Sequence, residues 1–195
     1  MTTYAWPNWL RPSACTLSLQ PNLRRFESPF SRAVQTVDLL GERWRMTVAV
    51  PPRMDVASGA LEAFLHGLRG VHTVAAWHFA REVPTGTLRG APVATAVVQG
   101  DSSITLIAAP GATLRAGDLF GLGGMLFMTR DDAVAGADGR LYVNTVNRAR
   151  RAVASGGAVT WYRPTATFRV LDDAVPISHL PGHADGLQLD LMETW

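Results

Sequence analysis

Five histidines, one cysteine, two acid pairs and a glycine-rich turn are the residues of this chain that could do chemistry. His72 and His78 lie an even number of residues apart, so an extended strand would put both on one face, where a hydrolase could use them. His179 and His183 are separated by Leu-Pro-Gly, which denies them a shared helical face. A structural zinc site takes four well-placed ligands, and the spacing points instead to loop and strand-edge histidines. Cys15 is an alternate residue of the apolar stretch "CTLSLQ", which reads as core, whereas a thiol nucleophile needs a base beside it. Asp131–Asp132 and Asp172–Asp173 fall in turn contexts, and acid–base pairs are presented from the walls of a cleft. "GLGGM" lacks the lysine and the following helix of a phosphate loop, so it reads as a turn. Tryptophans next to arginines, Trp44 with Arg45 and Trp161 near Arg163, could stack bases. None of these sets calls for a catalytic residue, a metal or a cofactor.

Composition narrows the classes further. The chain has 195 residues, of which 47% are hydrophobic and 17% charged, the balance of an ordered chain long enough to bury a sizeable core. All eighteen basic residues are arginine, which with abundant Ala and Gly reads as the codon bias of a GC-rich genome. The net charge of +2 is too small to imply a polyanion partner or nucleic-acid specificity. No apolar run reaches the ~18 residues of a membrane span, and "MTTYAWPNWLRPSA" lacks the basic start and apolar core of a secretory signal. A lone cysteine excludes an intramolecular disulfide framework and fits a reducing cytoplasm, or a particle assembled there.

Hydrophobic spacing places the elements. "CTLSLQ" and "RWRMTVAV" alternate as strands, the second with Trp44, Met46, Val48 and Val50 on one face. "DVASGALEAFLHGLRG" is the one convincing helix, about residues 55–69, with Asp55 placed to cap it and Gly70 where a C′ glycine belongs. "VHTVAAWHF" returns as a strand. From about 84 to 158, short β-like runs alternate with Gly/Asp/Ala turns at intervals of roughly ten residues, the spacing of a small all-β sandwich or barrel. "GLGG" and "GADG" mark hairpin turns there. "AVTWYRPTATFRVLDD" reads as a further strand, and "GLQLDLMETW" alternates Leu187, Leu189 and Leu191. The opening "TTYAWPNWLRPSA" reads as an extended arm whose Trp6 and Trp9 dock on a neighbour or on the chain's own body.

The order of several motifs resembles a known family. "SPFSRAVQTVDLLGERW", a strand, then "LEAFLHGLRG" is similar to the opening of small virion proteins of long-tailed bacteriophages. "LRAGDLFGLGGMLFMTRDDAVAGADGRLYVNTVNRARRAV" resembles the Ala-Gly-Asp segment of phage head and tail proteins with its following turn and strand. "TATFRVLDD" and "GLQLDLMETW" resemble the acidic terminal strand of distal tail proteins. The likeness covers most of residues 28–195; "VPISHLPGHADG" and the Trp-rich arm have no counterpart in it.

That resemblance implies a distal tail, or baseplate, protein of the virion tail, assembled in the host cytoplasm and acting without catalysis. Its fold would be mainly β (α+β), a tail-tube-like β-sandwich with one flanking helix, forming a ring that is commonly a hexamer. The ring would join the tail tube protein to the baseplate hub and fibre proteins. Residues 1–83 and 159–195 would form the ring unit and 84–158 an inserted small β domain. The C-terminal strands would pair with the first sheet and bury their leucines there. Arginines and aromatics are enriched at interfaces, and the expected subunit contacts are Trp6, Trp9, Arg32, Gln35, Glu42 and Arg43. The rival readings are a head–tail connector or decoration protein, and a carbohydrate-binding β-sandwich using Trp77 or Trp161 as a platform.

Overall fold

Strands run from Thr3 to Glu193 with one helix among them, in a computed structural model that describes residues 2–39, 41–54, 56–68, 71–172 and 175–194. In chain order they are β1 (Thr3–Ala5), β2 (Ala14–Gln20), β3 (Leu23–Glu27), β4 (Val34–Asp38), β5 (Arg43–Val50) and β6 (Arg53–Met54). The helix α1 (Val56–Leu68) and β7 (Thr73–Trp77) follow. Next come β8 (Val93–Ala94), β9 (Ser103–Ile107), β10 (Thr113–Leu114), β11 (Leu119–Leu122), β12 (Met125–Met128) and β13 (Ala133–Val134). The chain closes with β14 (Arg140–Asn144), β15 (Gly157–Thr160), β16 (Thr165–Val170), β17 (His179–Leu180), β18 (His183–Ala184) and β19 (Leu187–Glu193). No helix among the described residues is long and apolar enough to cross a membrane.

The first sheet has the order β1-β7-β16-β19-β5-β2. Only β1 and β7 run parallel; the other pairs are antiparallel. The expected alternation is present in β5, where Trp44, Met46, Val48 and Val50 are all buried. Leu189 and Leu191 of β19 are buried in the same core, so the last strand pairs with the first sheet as its spacing requires. The helix adds Leu61, Leu65 and Leu68 to that core, at i, i+4 and i+7 on one face. Its expected cap, Asp55, and C′ glycine, Gly70, lie outside the described residues.

The second sheet, β12-β11-β15-β8-β9-β14, encloses a separate core that includes Leu106, Phe120, Phe127 and Leu141. A bridge between Thr129 and Thr145 ties the end of β12 to the end of β14 and curls the sheet into a barrel-like unit. The "GLGG" turn joins β11 to β12: Gly123 and Gly124 have φ of 58° and 75°, the left-handed values that a two-residue hairpin demands. This places Phe120 opposite Phe127, with ring centroids 5.4 Å apart. Two details differ from the sequence reading. The stretch "AVTWYRPTATFRVLDD" is two strands in different sheets, β15 and β16, broken where Arg163 takes φ 47° before Pro164. The expected division at 158/159 falls inside β15, whose Val159 belongs to the second core.

The two cores are joined by a buried polar seam. The indole Nε1–H of Trp44 donates to the Leu126 carbonyl at 2.9 Å. The Arg150 guanidinium, from the loop after β14, forms two hydrogen bonds to the carboxylate of Glu193 in β19. That carboxylate also accepts the Trp44 backbone N–H at 3.0 Å. Both side chains are buried, so each charge depends on the other. Removing one partner of such a pair leaves an uncompensated buried charge, whereas an apolar pair of similar volume is close to neutral. Arg150→Ala is therefore expected to cost about 3–5 kcal/mol, and Arg150→Met combined with Glu193→Leu far less. Urea denaturation of the two variants and the parent protein checks this; equal losses for the single and double variants would refute it.

Candidate functional site

Between β2 and β5 the chain leaves the sheet as a two-stranded hairpin, β3 with β4, that joins no other sheet among the described residues. Register puts Leu23, Arg25 and Glu27 opposite Asp38, Thr36 and Val34, and Arg24 and Phe26 opposite Val37 and Gln35. Residues directly opposite share a face, so one face carries Leu23 and Val34 and the other Phe26 and Val37. Both faces thus hold apolar side chains, and Leu23, Phe26 and Val34 are exposed. At the base, the Leu39 N–H donates to the Asn22 carbonyl at 2.9 Å, and Asp38 pairs with Arg148 at 3.4 Å.

The tip of the hairpin is held by its own hydrogen bonds. Ser28 Oγ accepts the N–H groups of Phe30 and Ser31, and the Ser28 carbonyl accepts the Arg32 N–H at 2.9 Å. Arg32 takes φ 53° to complete the turn. Phe30 stands at the apex and is 97% exposed.

A cavity of about 440 Å³ opens elsewhere on the surface, beside the N-terminal segment. Its aromatic wall is Trp6, Trp77 and Phe79, with Phe79 4.9 Å from Trp6 and 5.0 Å from Trp77 between ring centroids. Asn8, Arg11 and Arg163 supply polar groups around it. Arg163 is fixed by two 3.0 Å hydrogen bonds to Glu82 and lies 4.8 Å from the Trp77 ring centroid.

No protein-family model matches the chain, and no curated protein matches it. The reading of its surface therefore rests on the residues themselves.

Three of the expected contact residues ride on or beside the hairpin: Gln35 in β4, Arg32 at its tip and Arg43 just past its base, all exposed. Trp9 is exposed on the N-terminal segment. Trp6 and Glu42 are buried within the chain. Trp6 sits in the first core, because its indole N–H reaches the Leu10 carbonyl at 2.6 Å and leaves no polar group stranded. The segment expected as an arm is thus part of the chain's own body, with β1 sewn to β7. The Glu42 carboxylate accepts the Arg148 N–H and belongs to the seam between the two cores. Trp6→Ala is expected to destabilise the fold by about 3–5 kcal/mol; a melting temperature equal to that of the parent protein would contradict it.

The remaining chemical candidates are dispersed. His72 accepts the Thr2 N–H at 3.2 Å through Nδ1. His78 is buried, and that burial, aided by Arg81, pushes its pKa down. His66 and His179 approach the two oxygens of Glu62 at 3.6 and 3.5 Å. Among the described residues no three His, Cys, Asp or Glu side chains could hold one metal ion. Cys15 faces the first core, where burial pushes its thiol up, away from the thiolate. Asp131 and Asp132 lie in exposed salt bridges with Arg130 and Arg115. Asp172 lies in the bend after β16, and Asp173 is outside the described residues. A guanidinium lies over the ring of each proposed sugar platform, Arg163 over Trp77 and Arg89 over Trp161 at 5.0 Å.

The Ala-Gly-Asp segment has a local purpose that the sequence did not disclose. Gly117 takes φ 88°, turning the chain so that the Asp118 carboxylate accepts the N–H groups of Thr85, Gly86 and Arg115 and the Thr85 hydroxyl. Burial pushes the Asp118 carboxyl up, but these four donors hold the net value below the ordinary one. A depressed carboxyl contributes stability above its unfolded pKa, about 3.9, and loses it as pH falls through the folded value. Asp118→Asn is expected to cost about 1–3 kcal/mol at pH 7 and to flatten the acid limb of the stability curve below about pH 4. Urea midpoints across pH 2–7 test this; an unchanged acid limb would contradict it.

Proposed function

We propose that this chain is a virion structural protein of a phage tail, a distal tail or baseplate ring component joining the tube to the hub and fibres. The observation that carries the reading is the hairpin of β3 and β4. A lone two-stranded hairpin is marginal in water, and this one exposes apolar side chains on both faces, with no sheet or helix behind it among the described residues. Such a surface is made to be covered. The six-stranded sheet backed by one helix supplies the ring unit in this reading, and the barrel-like unit supplies the insertion. The Arg150–Glu193 seam gives the two a fixed relation, which a joint between tube and hub requires. Function is then assembly through complementary surfaces, with the chain's own copies and the tube, hub and fibre proteins as partners.

The test is the state of association of the full chain, alone and mixed with a tube protein, by native mass measurement and negative-stain imaging. A closed ring of copies is expected. Phe26→Asp with Val34→Asp is expected to abolish the ring while changing fold stability by no more than about 0.5 kcal/mol, as surface substitutions do. A chain that stays monomeric under both conditions counts against the reading.

A further inference from the structure

We infer that the cavity beside the N-terminal segment binds a small polar organic anion, one carrying a carboxylate or a phosphate on a hydroxyl-bearing body. The inference goes beyond the assembly reading and does not depend on it. The aromatic residues frame the cavity but are largely withheld from an occupant. Trp6 and Leu10 belong to the buried core, and the Arg163 guanidinium covers the Trp77 ring, 4.8 Å from its centroid. The lining left to meet an occupant is mostly polar.

Arg163 is the centre of the site. A guanidinium carries five N–H donors, and Glu82 takes one from Nε and one from Nη2. The donors that remain, on Nη1 and Nη2, have no partner among the described residues. They form the second edge of the planar fork, which can grip a carboxylate or a phosphate through two parallel hydrogen bonds. Glu82 already fixes that fork, together with the rings of Trp77 and Tyr162 at 4.8 and 5.2 Å. An anion therefore meets a donor that was ordered beforehand.

Arg11 lines the same cavity, and its exposed guanidinium has no partner among the described residues. Arg53 adds a cation nearby, donating to the Arg11 carbonyl at 3.2 Å. Glu82 is the one acid of the lining among the described residues, and both of its oxygens accept from Arg163. The local charge thus favours an anion. The Asn8 amide supplies both a donor and an acceptor, which suits hydroxyl groups. The volume, about 440 Å³, is more than a bare inorganic ion fills and lies in the ~300–1,000 Å³ range of small-molecule pockets.

Calorimetric titration of the full-length protein tests the site, with glucuronate, glucose 6-phosphate, glucose and inorganic phosphate as probes. At least one sugar anion is expected to bind at a single site, and the tighter of the two identifies the anionic group. Glucose and inorganic phosphate are each expected to bind at least about 10-fold more weakly than that anion, since each lacks one half of the contacts. Arg11→Gln is expected to weaken the anion about 10-fold or more by removing a cation. Its melting temperature is expected to stay that of the parent protein, because the Arg11 guanidinium holds nothing in the fold. Arg163→Lys keeps a charge opposite Glu82 but loses the second edge of the fork, and a similar loss of affinity is expected. Failure of both sugar anions to bind, glucose bound as tightly as they are, or an affinity unchanged by Arg11→Gln overturns the inference. Each of these results leaves the assembly reading standing.

Discussion

The buried ion pair between Arg150 and Glu193 is the interaction on which the arrangement of this molecule depends. One partner comes from the loop after β14 in the barrel-like unit and the other from the central strand of the first sheet. Neither charge has water to fall back on, so the two units hold one relative position. Around the pair, Trp44 contributes its backbone N–H to Glu193 and its indole N–H to Leu126, while Glu42 takes the Arg148 N–H. The seam thus joins two apolar cores through polar contacts that specify geometry, where greasy contact alone would permit sliding. The hairpin rises from the same region, and its Asp38 leans on Arg148, which ties the exposed element to the junction.

Much of the strand content was legible because burial leaves a period in the sequence. "RWRMTVAV" alternates because one face of β5 lies on the core, and "GLQLDLME" does so beside it. The "GLGG" turn was readable because two adjacent left-handed residues are tolerated best by glycine. The hairpin was not readable as strands. Its two runs, "LRRFE" and "VQTVD", bury neither face within the chain, so no alternation was imposed on them. The period-2 signal records burial within one chain, and it falls silent where an element meets no core of its own.

The candidate surface was legible in part for the same reason. Arg32 and Gln35 stand out by residue type and position, since polar and arginine-bearing stretches contrast with an apolar chain, and the structure places both on the exposed hairpin. The Pro- and Trp-rich opening reads as an extended arm, with Trp6 docking on a neighbour or on the chain's own body. Nothing in the sequence foretold that its indole N–H would find the Leu10 carbonyl four residues on and allow burial. The cavity wall draws on distant segments: Trp77 and Phe79, two residues apart, meet Trp6 and Arg163 only through folding. The role of Asp118 was hidden likewise: its donors lie about thirty residues back, at Thr85 and Gly86.

The place of β19 has a consequence for synthesis. It lies between β16 and β5 at the middle of the first sheet, yet it is the last strand in chain order. Until residues 187–193 leave the ribosome, β5 and β16 each carry an open edge, and Trp44 lacks the carboxylate that accepts its N–H. Pairings that span more than a hundred residues form late and slowly. Vectorial growth of the nascent chain therefore withholds the finished sheet, and with it the completed seam, until the last strand arrives. Until β19 is in place, the first core lacks Leu189 and Leu191.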